Sequence, residues 1–404
     1  MNEPTSTPHI RSASAGPLPA SGAWRPGDPV GRREFATVVT GRPFRLEGGG
    51  RLDHIEVAYE TWGDLNDDAS NAVLVCHALT GDSHATGRAG IGHAAPGWWE
   101  GLVGSGGGID TDRWFVVCAN VLGGCQGTTG PASIDPATGR PYGSAFPVVT
   151  IRDIVRTQAL LADALGIARW NAVVGGSMGG MQALEWSIMF PDRVGALVAI
   201  ATAASASAQQ ISWSMVGRRS IALDPGFANG DYYDAAPGTG PHRGLALARQ
   251  IAQIHYRSES AFSARFGRTL LDGADGDQFE LNQRFDVEGY LDYQGDKLVR
   301  RFDANSYIRL NKAMDLHDVG RGRGGTAAAL ARVTSPTLVM SIPTDMLYPP
   351  RQQHELRDGL RAGGCRVGYA DIDSIDGHDG FLIESGQIAP VCAAFLDGVS
   401  TDLT

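Results

Sequence analysis

Short, largely apolar runs recur along the chain at 72–76 (AVLVC), 114–121 (WFVVCANV), 172–174 (AVV), 196–200 (ALVAI) and 336–342 (PTLVMSI), with a related segment, RVGYADI, at 366–372. Runs of this length without polar alternation predict strands buried on both faces of a parallel sheet. Two earlier β-like segments, 36–46 and 54–62, lie either side of Gly48, Gly49 and Gly50 and predict an antiparallel start to the same sheet. Helical spacing fills the intervals: Ile154, Val155, Leu161 and Leu165 precede Gly166, and Thr150 with Asp153 has the form of a capping box. This alternation predicts an α/β fold with a doubly wound, mostly parallel sheet. The rhythm breaks at 204–332, which is polar, rich in Arg, Asp and Tyr, and has helical stretches at 244–255 and 306–316 but no apolar strand. That stretch is expected as a helical lid inserted between two parts of one core, 35–203 and 333–404. A closing helix is expected over 388–396, with Pro390 in its first turn, where proline is tolerated.

Composition changes this picture at the edges. Residues 1–34 carry six prolines among Ser, Ala and Gly and are expected as a flexible arm. With 34 Lys+Arg against 44 Asp+Glu, the formal charge of -10 argues against nucleic acid and anionic membrane as partners, while leaving room for a local basic pocket. The five cysteines, Cys76, Cys118, Cys125, Cys365 and Cys392, are odd in number and scattered, and read as reduced, buried thiols. No apolar run reaches membrane-span length and the first residues lack the apolar core of a signal peptide, so a cytoplasmic protein is expected.

Candidate chemistry centres on 170–192, WNAVVGGSMGGMQALEWSIMFPD. Gly175, Ser177 and Gly179 fit G-x-S-x-G between a strand and a helix, the elbow that exposes a serine hydroxyl above a strand end in the α/β-hydrolase fold. Its glycines are expected both to make room and to take unusual dihedrals. A serine needs an imidazole to accept its proton and a carboxylate to orient that imidazole, in the chain order Ser, Asp or Glu, His. Asp345 follows the run ending at Ile342, and His378 follows the one ending at Ile372. Asp371, Asp373 and Asp376 are nearer His378 in sequence, but an acid from a separate strand end can meet the ring opposite the serine. The oxyanion is assigned to the backbone N–H groups of Met178 and of Leu79, with Thr80 the alternative to Leu79.

Other clusters carry less. Cys76, His77, Asp82 and His84 match no zinc spacing, and no metal is expected. Gly320, Gly322 and Gly325 fit G-x-G-x-x-G without a preceding strand and read as a flexible basic loop before a helix starting near Thr326.

Five segments resemble the homoserine O-acetyltransferase family of α/β-hydrolase-fold acyltransferases: CHALTGDSHA at 76–85, CANVLGGCQGTTGPAS at 118–133, GGSMGGMQALEW at 175–186, YLDYQGDKLVRRFDANSY at 290–307 and SIDGHDGFL at 374–382. They lie in both the core and the lid, and the arm before residue 35 is outside the resemblance. It implies acetyl transfer from acetyl-CoA, a co-substrate with no further cofactor, to the hydroxyl of L-homoserine in methionine biosynthesis, through an acetyl ester on Ser177. It also implies that Arg249 grips the amino-acid carboxylate and Asp379 the ammonium, and that two copies pair through the lid. TGDSHA resembles the acetylating rather than the succinylating relatives. Serine-acylating relatives share the triad, and an ester hydrolase on the same scaffold is the remaining enzymatic alternative; a scaffold protein on a dead fold would show a damaged triad, and none is seen.

Overall fold

The computed structural model describes residues 18–271, 279, 281 and 283–401. The apolar runs form strands of one eight-stranded sheet, here β1 (Glu34–Val39), β2 (Ile55–Trp62), β3 (Ala72–Cys76), β4 (Phe115–Ala119), β5 (Ala172–Gly176), β6 (Leu197–Ile200), β7 (Thr337–Ser341) and β8 (Val367–Asp371), ordered β1-β2-β4-β3-β5-β6-β7-β8. β1 and β2 pair antiparallel, as do β2 and β4; every later pairing is parallel. The three glycines at 48–50 do not join β1 to β2 directly, because they close a separate small hairpin between Phe44–Arg45 and Arg51–Leu52.

The period-two geometry of a strand explains why the runs are apolar throughout. Leu74, Val117, Val173 and Ala199 face one core cluster, and Val75, Cys118, Val174 and Val198 face the other. The first cluster is covered by α1 (Ile151–Ala164) and α2 (Met178–Met189), the second by residues of the C-terminal helix such as Ile388, Cys392 and Leu396. α1 starts on the expected capping box: Thr150 N–H donates to Asp153 Oδ2 at 3.0 Å and Asp153 N–H to Thr150 Oγ1 at 3.2 Å, a cap worth about 1 kcal/mol.

Between β6 and β7 the chain builds the lid from α3 (Ala208–Ala222), α4 (His242–Tyr256), α5 (Glu259–Arg265), α6 (Asp286–Val299) and α7 (Ala304–Asp315). The lid closes at its base by pairing Ser205 with Asp318, where Ala206 N–H donates to His317 O and Val319 N–H to Ala204 O. It therefore ends near 319 rather than 332. α8 (Thr326–Leu330) packs against α9 (Pro350–Ala362) and belongs to the core. The glycine-rich loop before α8 is pinned, not flexible: buried Glu185 on α2 accepts from Arg152 Nε at 3.1 Å and Arg323 Nη2 at 2.7 Å, while Arg152 Nη2 donates to the carbonyls of Asp318 and Arg321.

Two further expectations change. Of the arm, residues 1–17 lie outside the described residues, but 18–33 lie against the body: Trp24 N–H donates to Cys125 O at 2.9 Å and Ser21 Oγ to buried Asp303 at 2.7 Å. Small residues permit that approach, since a Cβ on Gly22 would stand 2.6 Å from Phe302 N. Beyond α10 (Gly380–Ile383), the closing helix α11 begins at Ser385, so Pro390 lies inside it, where its ring forfeits one backbone bond. Among the described residues no single helix is long and apolar enough to cross a membrane, and all five cysteines are unpaired and buried.

Candidate active site

β5 delivers Ser177 into a turn with φ 56° and ψ −124°, and α2 starts at the next residue. A non-glycine residue at positive φ costs of order 1–3 kcal/mol and persists only where its surroundings hold it. Here Ser177 N–H donates to Ile200 O at 2.9 Å and Ser177 O accepts from Thr202 Oγ1 at 2.9 Å. The neighbouring glycines serve space alone. None of Gly175, Gly176, Gly179 and Gly180 has positive φ, contrary to the sequence expectation; the strain sits on the serine. A Cβ on Gly175 would collide with Gly179 O, one on Gly179 with Cys76 O, one on Gly176 with the Phe381 ring, and one on Gly180 would stand 2.7 Å from Thr202 Cβ.

Loop residues after β7 and β8, 168 and 201 positions beyond Ser177 in sequence, close the rest of the site: Ser177 Oγ lies 2.8 Å from His378 Nε2, and His378 Nδ1 lies 2.7 Å from Asp345 Oδ2. A carboxylate accepts only, so Nδ1 carries the ring proton and Nε2 is left to accept from the serine hydroxyl. The other oxygen of Asp345 accepts from the N–H groups of Leu347 at 2.8 Å and Tyr348 at 2.9 Å, which locks the carboxylate. The nearer acids are spent elsewhere: Asp371 accepts from Ser341 Oγ and Tyr369 OH, Asp376 pairs with Arg257 at 2.7 Å, and Asp373 is exposed. Gly377 precedes His378 at φ 64°, and a Cβ there would stand 2.8 Å from Ser258 N and Tyr256 O, so the histidine turn packs tightly under the lid. Tyr348, Phe381 and Tyr256 surround the ring with centroids 5.1, 5.2 and 5.8 Å away. Ser177, Asp345 and His378 are 6%, 3% and 3% exposed, so bulk water has little access.

Met178 opens α2, so its N–H has no acceptor within the helix and sits at the positive end of the helix dipole. Leu79 lines the same small cavity as Ser177, whereas Thr80 lines the neighbouring one and its carbonyl accepts from Arg301 Nη2 at 2.8 Å. Their loop is fixed from below by His77, whose Nε2 accepts from Val121 N–H at 3.1 Å while Nδ1 donates to Ala78 O at 2.8 Å. The cavity at Ser177, about 30 Å³, is walled by Leu79, Trp213, Ala248, Ala252 and Leu347 among others.

Arg249 and Asp379 come together beside the histidine. Arg249 is half-buried on α4, its guanidinium 5.5 Å from the Tyr256 ring centroid. Burial raises the Asp379 carboxyl above its ordinary value, opposed by the charges of Arg249 and His378. Neither side chain has an ion-pair partner within 4.0 Å among the described residues. Sequence reading passed over Tyr256, although it stands seven positions after Arg249 and so on the same helical face.

His255 lies on the cavity wall, stacked on Trp213 with centroids 4.6 Å apart. Burial first, then the His378 and Arg249 charges, pushes its pKa from 6.5 down to about 3. It therefore folds neutral, and its contribution is present above 6.5 and lost as pH falls toward 3, because the unfolded chain binds the proton first. Urea unfolding between pH 7 and 5 should show stability falling by up to about 1.4 kcal/mol per pH unit from this group. His255→Phe keeps the stack and should flatten that slope; parallel slopes would refute the assignment.

One cluster was not visible in sequence. Glu60, His84 and His93 place three possible metal-ligand atoms within 4.8 Å of one another, yet the carboxylate is occupied by Ser83 Oγ at 2.9 Å and His84 Nδ1 at 2.9 Å, and the two rings stack at 3.9 Å. His93 Nε2 lies 3.3 Å from the same carboxylate, so Glu60 joins both rings in one buried polar cluster.

The fold and the buried serine, histidine and aspartate define an enzyme of the α/β-hydrolase class, and the family model described as the alpha/beta hydrolase fold matches residues 71–363. The chain is 54% identical over 374 residues to the homoserine O-acetyltransferase of Thermobifida fusca (strain YX), covering 92% of this chain and 96% of that one. The protein belongs to the homoserine O-acetyltransferase family. Among solved structures, a homoserine O-acetyltransferase from Bacillus anthracis superposes with TM-score 0.82 at 29% identity, covering 90% of this chain and 97% of that one, and esterase E22 with TM-score 0.81 at 29% identity, covering 90% and 99%.

Proposed function

We propose that the protein transfers the acetyl group of acetyl-CoA to the hydroxyl of L-homoserine by double displacement. The observation that carries the reaction chemistry is the unbroken contact from Ser177 Oγ through His378 to Asp345, and the family relationship supplies the substrates. Ser177 Oγ attacks the thioester carbonyl as His378 Nε2 takes its proton. The oxyanion is met by the N–H groups of Met178 and Leu79. The C–S bond breaks, His378 returns the proton to the departing thiolate, and acetyl-Ser177 remains. The homoserine hydroxyl then gives its proton to His378 Nε2 and attacks the ester; the acetyl–Oγ bond breaks, His378 returns the proton to Ser177 Oγ, and O-acetylhomoserine leaves.

Arg249 binds the amino-acid carboxylate through its planar fork, and Asp379, desolvated and without a cation inside 4.0 Å, takes the ammonium. The small, largely apolar cavity at Ser177 suits a short acyl group, because a succinyl carboxylate would be buried there against Leu79 and Leu347. The burial of the triad favours transfer over hydrolysis. Exposed Leu247 and Ile254, seven residues apart on one face of α4, together with Ile211 and Val216 on α3, support pairing of two copies through the lid. The five buried thiols suit the cytoplasm, where methionine biosynthesis would use the product.

Thiol release from acetyl-CoA, followed with no acceptor, with L-homoserine and with L-serine, and again with succinyl-CoA, tests this reading. Steady release is expected only with acetyl-CoA and homoserine. Release that continues without acceptor would make it an esterase-like hydrolase, and silence in every arm would sink acyl transfer. Arg249→Ala should raise KM for homoserine roughly 10- to 100-fold while leaving the acceptor-free burst of thiol nearly intact.

A further inference from the structure

The cavity at Ser177 has room for a few atoms, about 30 Å³, so the nucleotide end of the acetyl donor must be held elsewhere. Next to it, in a chain of net charge -10, an open cavity of about 810 Å³ gathers five cations, Arg25, Arg33, Lys297, Arg300 and Arg301, against two carboxylates, Asp28 and Asp82. Among the described residues the one ion pair of Asp82 is with Arg301, at 4.0 Å, its other oxygen accepts from the His84 backbone N–H at 3.0 Å, and the Asp28 side chain accepts from the Arg25 backbone N–H. Among the described residues Arg25, Arg33, Lys297 and Arg300 have no ion-pair partner within 4.0 Å. Two guanidinium nitrogens on this wall, Arg25 Nη2 and Arg33 Nε, are buried without any hydrogen-bond partner. Buried donors left unmatched are unfavourable, so an anion with several oxygens is their natural complement.

Two features connect this cavity with the reaction. Thr80, Gly81 and Asp82 form part of its wall and continue directly from Leu79, which lines the serine cavity. Arg301 lines the basic cavity and holds the Thr80 carbonyl at 2.8 Å, which anchors the loop that leads from Leu79 into that cavity. Trp24 and Trp98 supply flat faces for a base, and Trp98 is fixed by donating Nε1–H to Asp82 O at 2.9 Å.

Resting on the acetyl-CoA reading above, we propose that this cavity binds the 3′-phosphorylated adenosine diphosphate of the donor, with Arg25, Lys297 and Arg300 on its phosphates and the pantetheine arm running along the 79–82 loop to Ser177. The cation cluster forms only in the fold, because residues 18–33 lie against the loop after β3 and the end of α6.

The test is the combined variant Arg25→Ala, Lys297→Ala, Arg300→Ala, which leaves Arg33 and Arg301 holding their loops, compared with wild type after matching their thermal unfolding. The ratio of kcat/KM for acetyl-CoA to that for S-acetylpantetheine, which lacks the nucleotide, should fall about tenfold or more, through KM for acetyl-CoA. Wild-type KM for acetyl-CoA should also rise with salt. Titration calorimetry with adenosine 3′,5′-bisphosphate should show binding to wild type and about tenfold weaker binding to the variant. An unchanged ratio, or no nucleotide binding to wild type, overturns the site. Nucleotide binding in a protein that releases no thiol from acetyl-CoA would keep the site and overturn the acetyltransferase reading instead.

Discussion

Ser177→Ala should lower acyl transfer by about 10⁶-fold, close to the uncatalysed background, with homoserine and acetyl-CoA still bound. The size follows from the division of labour. Removing Oγ removes the attacking atom, and His378 and Asp345 then activate nothing, so the three act as one unit. The turn itself should survive, because its dihedrals are held by the Ser177 N–H bond to Ile200 O and by Thr202 Oγ1 on the Ser177 carbonyl, neither of which involves the side chain. The measurement is twofold: steady-state thiol release, and mass spectrometry of the protein after acetyl-CoA alone. Wild type should gain one acetyl group on the peptide bearing Ser177, and the variant none. A variant that kept even a hundredth of the activity would show that another nucleophile carries the acetyl group.

Asp345→Asn is expected to cost about 10⁴-fold in kcat, roughly 5 kcal/mol, with little change in either KM. The two N–H groups of Leu347 and Tyr348 keep the acceptor oxygen of the new amide, so its NH₂ must face His378 Nδ1. That donor forces Nδ1 to accept and moves the ring proton to Nε2, where it blocks abstraction from Ser177. The same change at Asp376, which serves Arg257 instead, should alter kcat only a few-fold. Equal losses at the two positions would mean that the loop, rather than the orienting carboxylate, explains the effect.

Much of this site was readable along the chain because each part carries a local signature. G-x-S-x-G at 175–179 needs small residues on both sides of the serine, and Asp345 and His378 follow late apolar runs in the order that parallel strands impose. Thr150 and Asp153 likewise form their cap within a single turn. Mistakes arose where a partner lies far away in sequence. The lid boundary is set by Ser205 meeting Asp318, the loop at 320–325 is held by Glu185, and the proline-rich arm docks on Cys125 and Asp303; none of these contacts leaves a periodic trace.

By itself the sequence determined the class of fold and singled out the serine, aspartate and histidine that lie in contact, because strand burial, turn sterics and chain order are local or directional constraints. Only the tertiary structure decided that the strain of the elbow lies on Ser177 while its glycines yield space, that Asp371 and Asp376 are already engaged, and that Arg25 and Arg33 share one cavity with Lys297, Arg300 and Arg301. Electrostatics and close contact depend on distance through space, which an acidic composition averaged over the whole chain conceals.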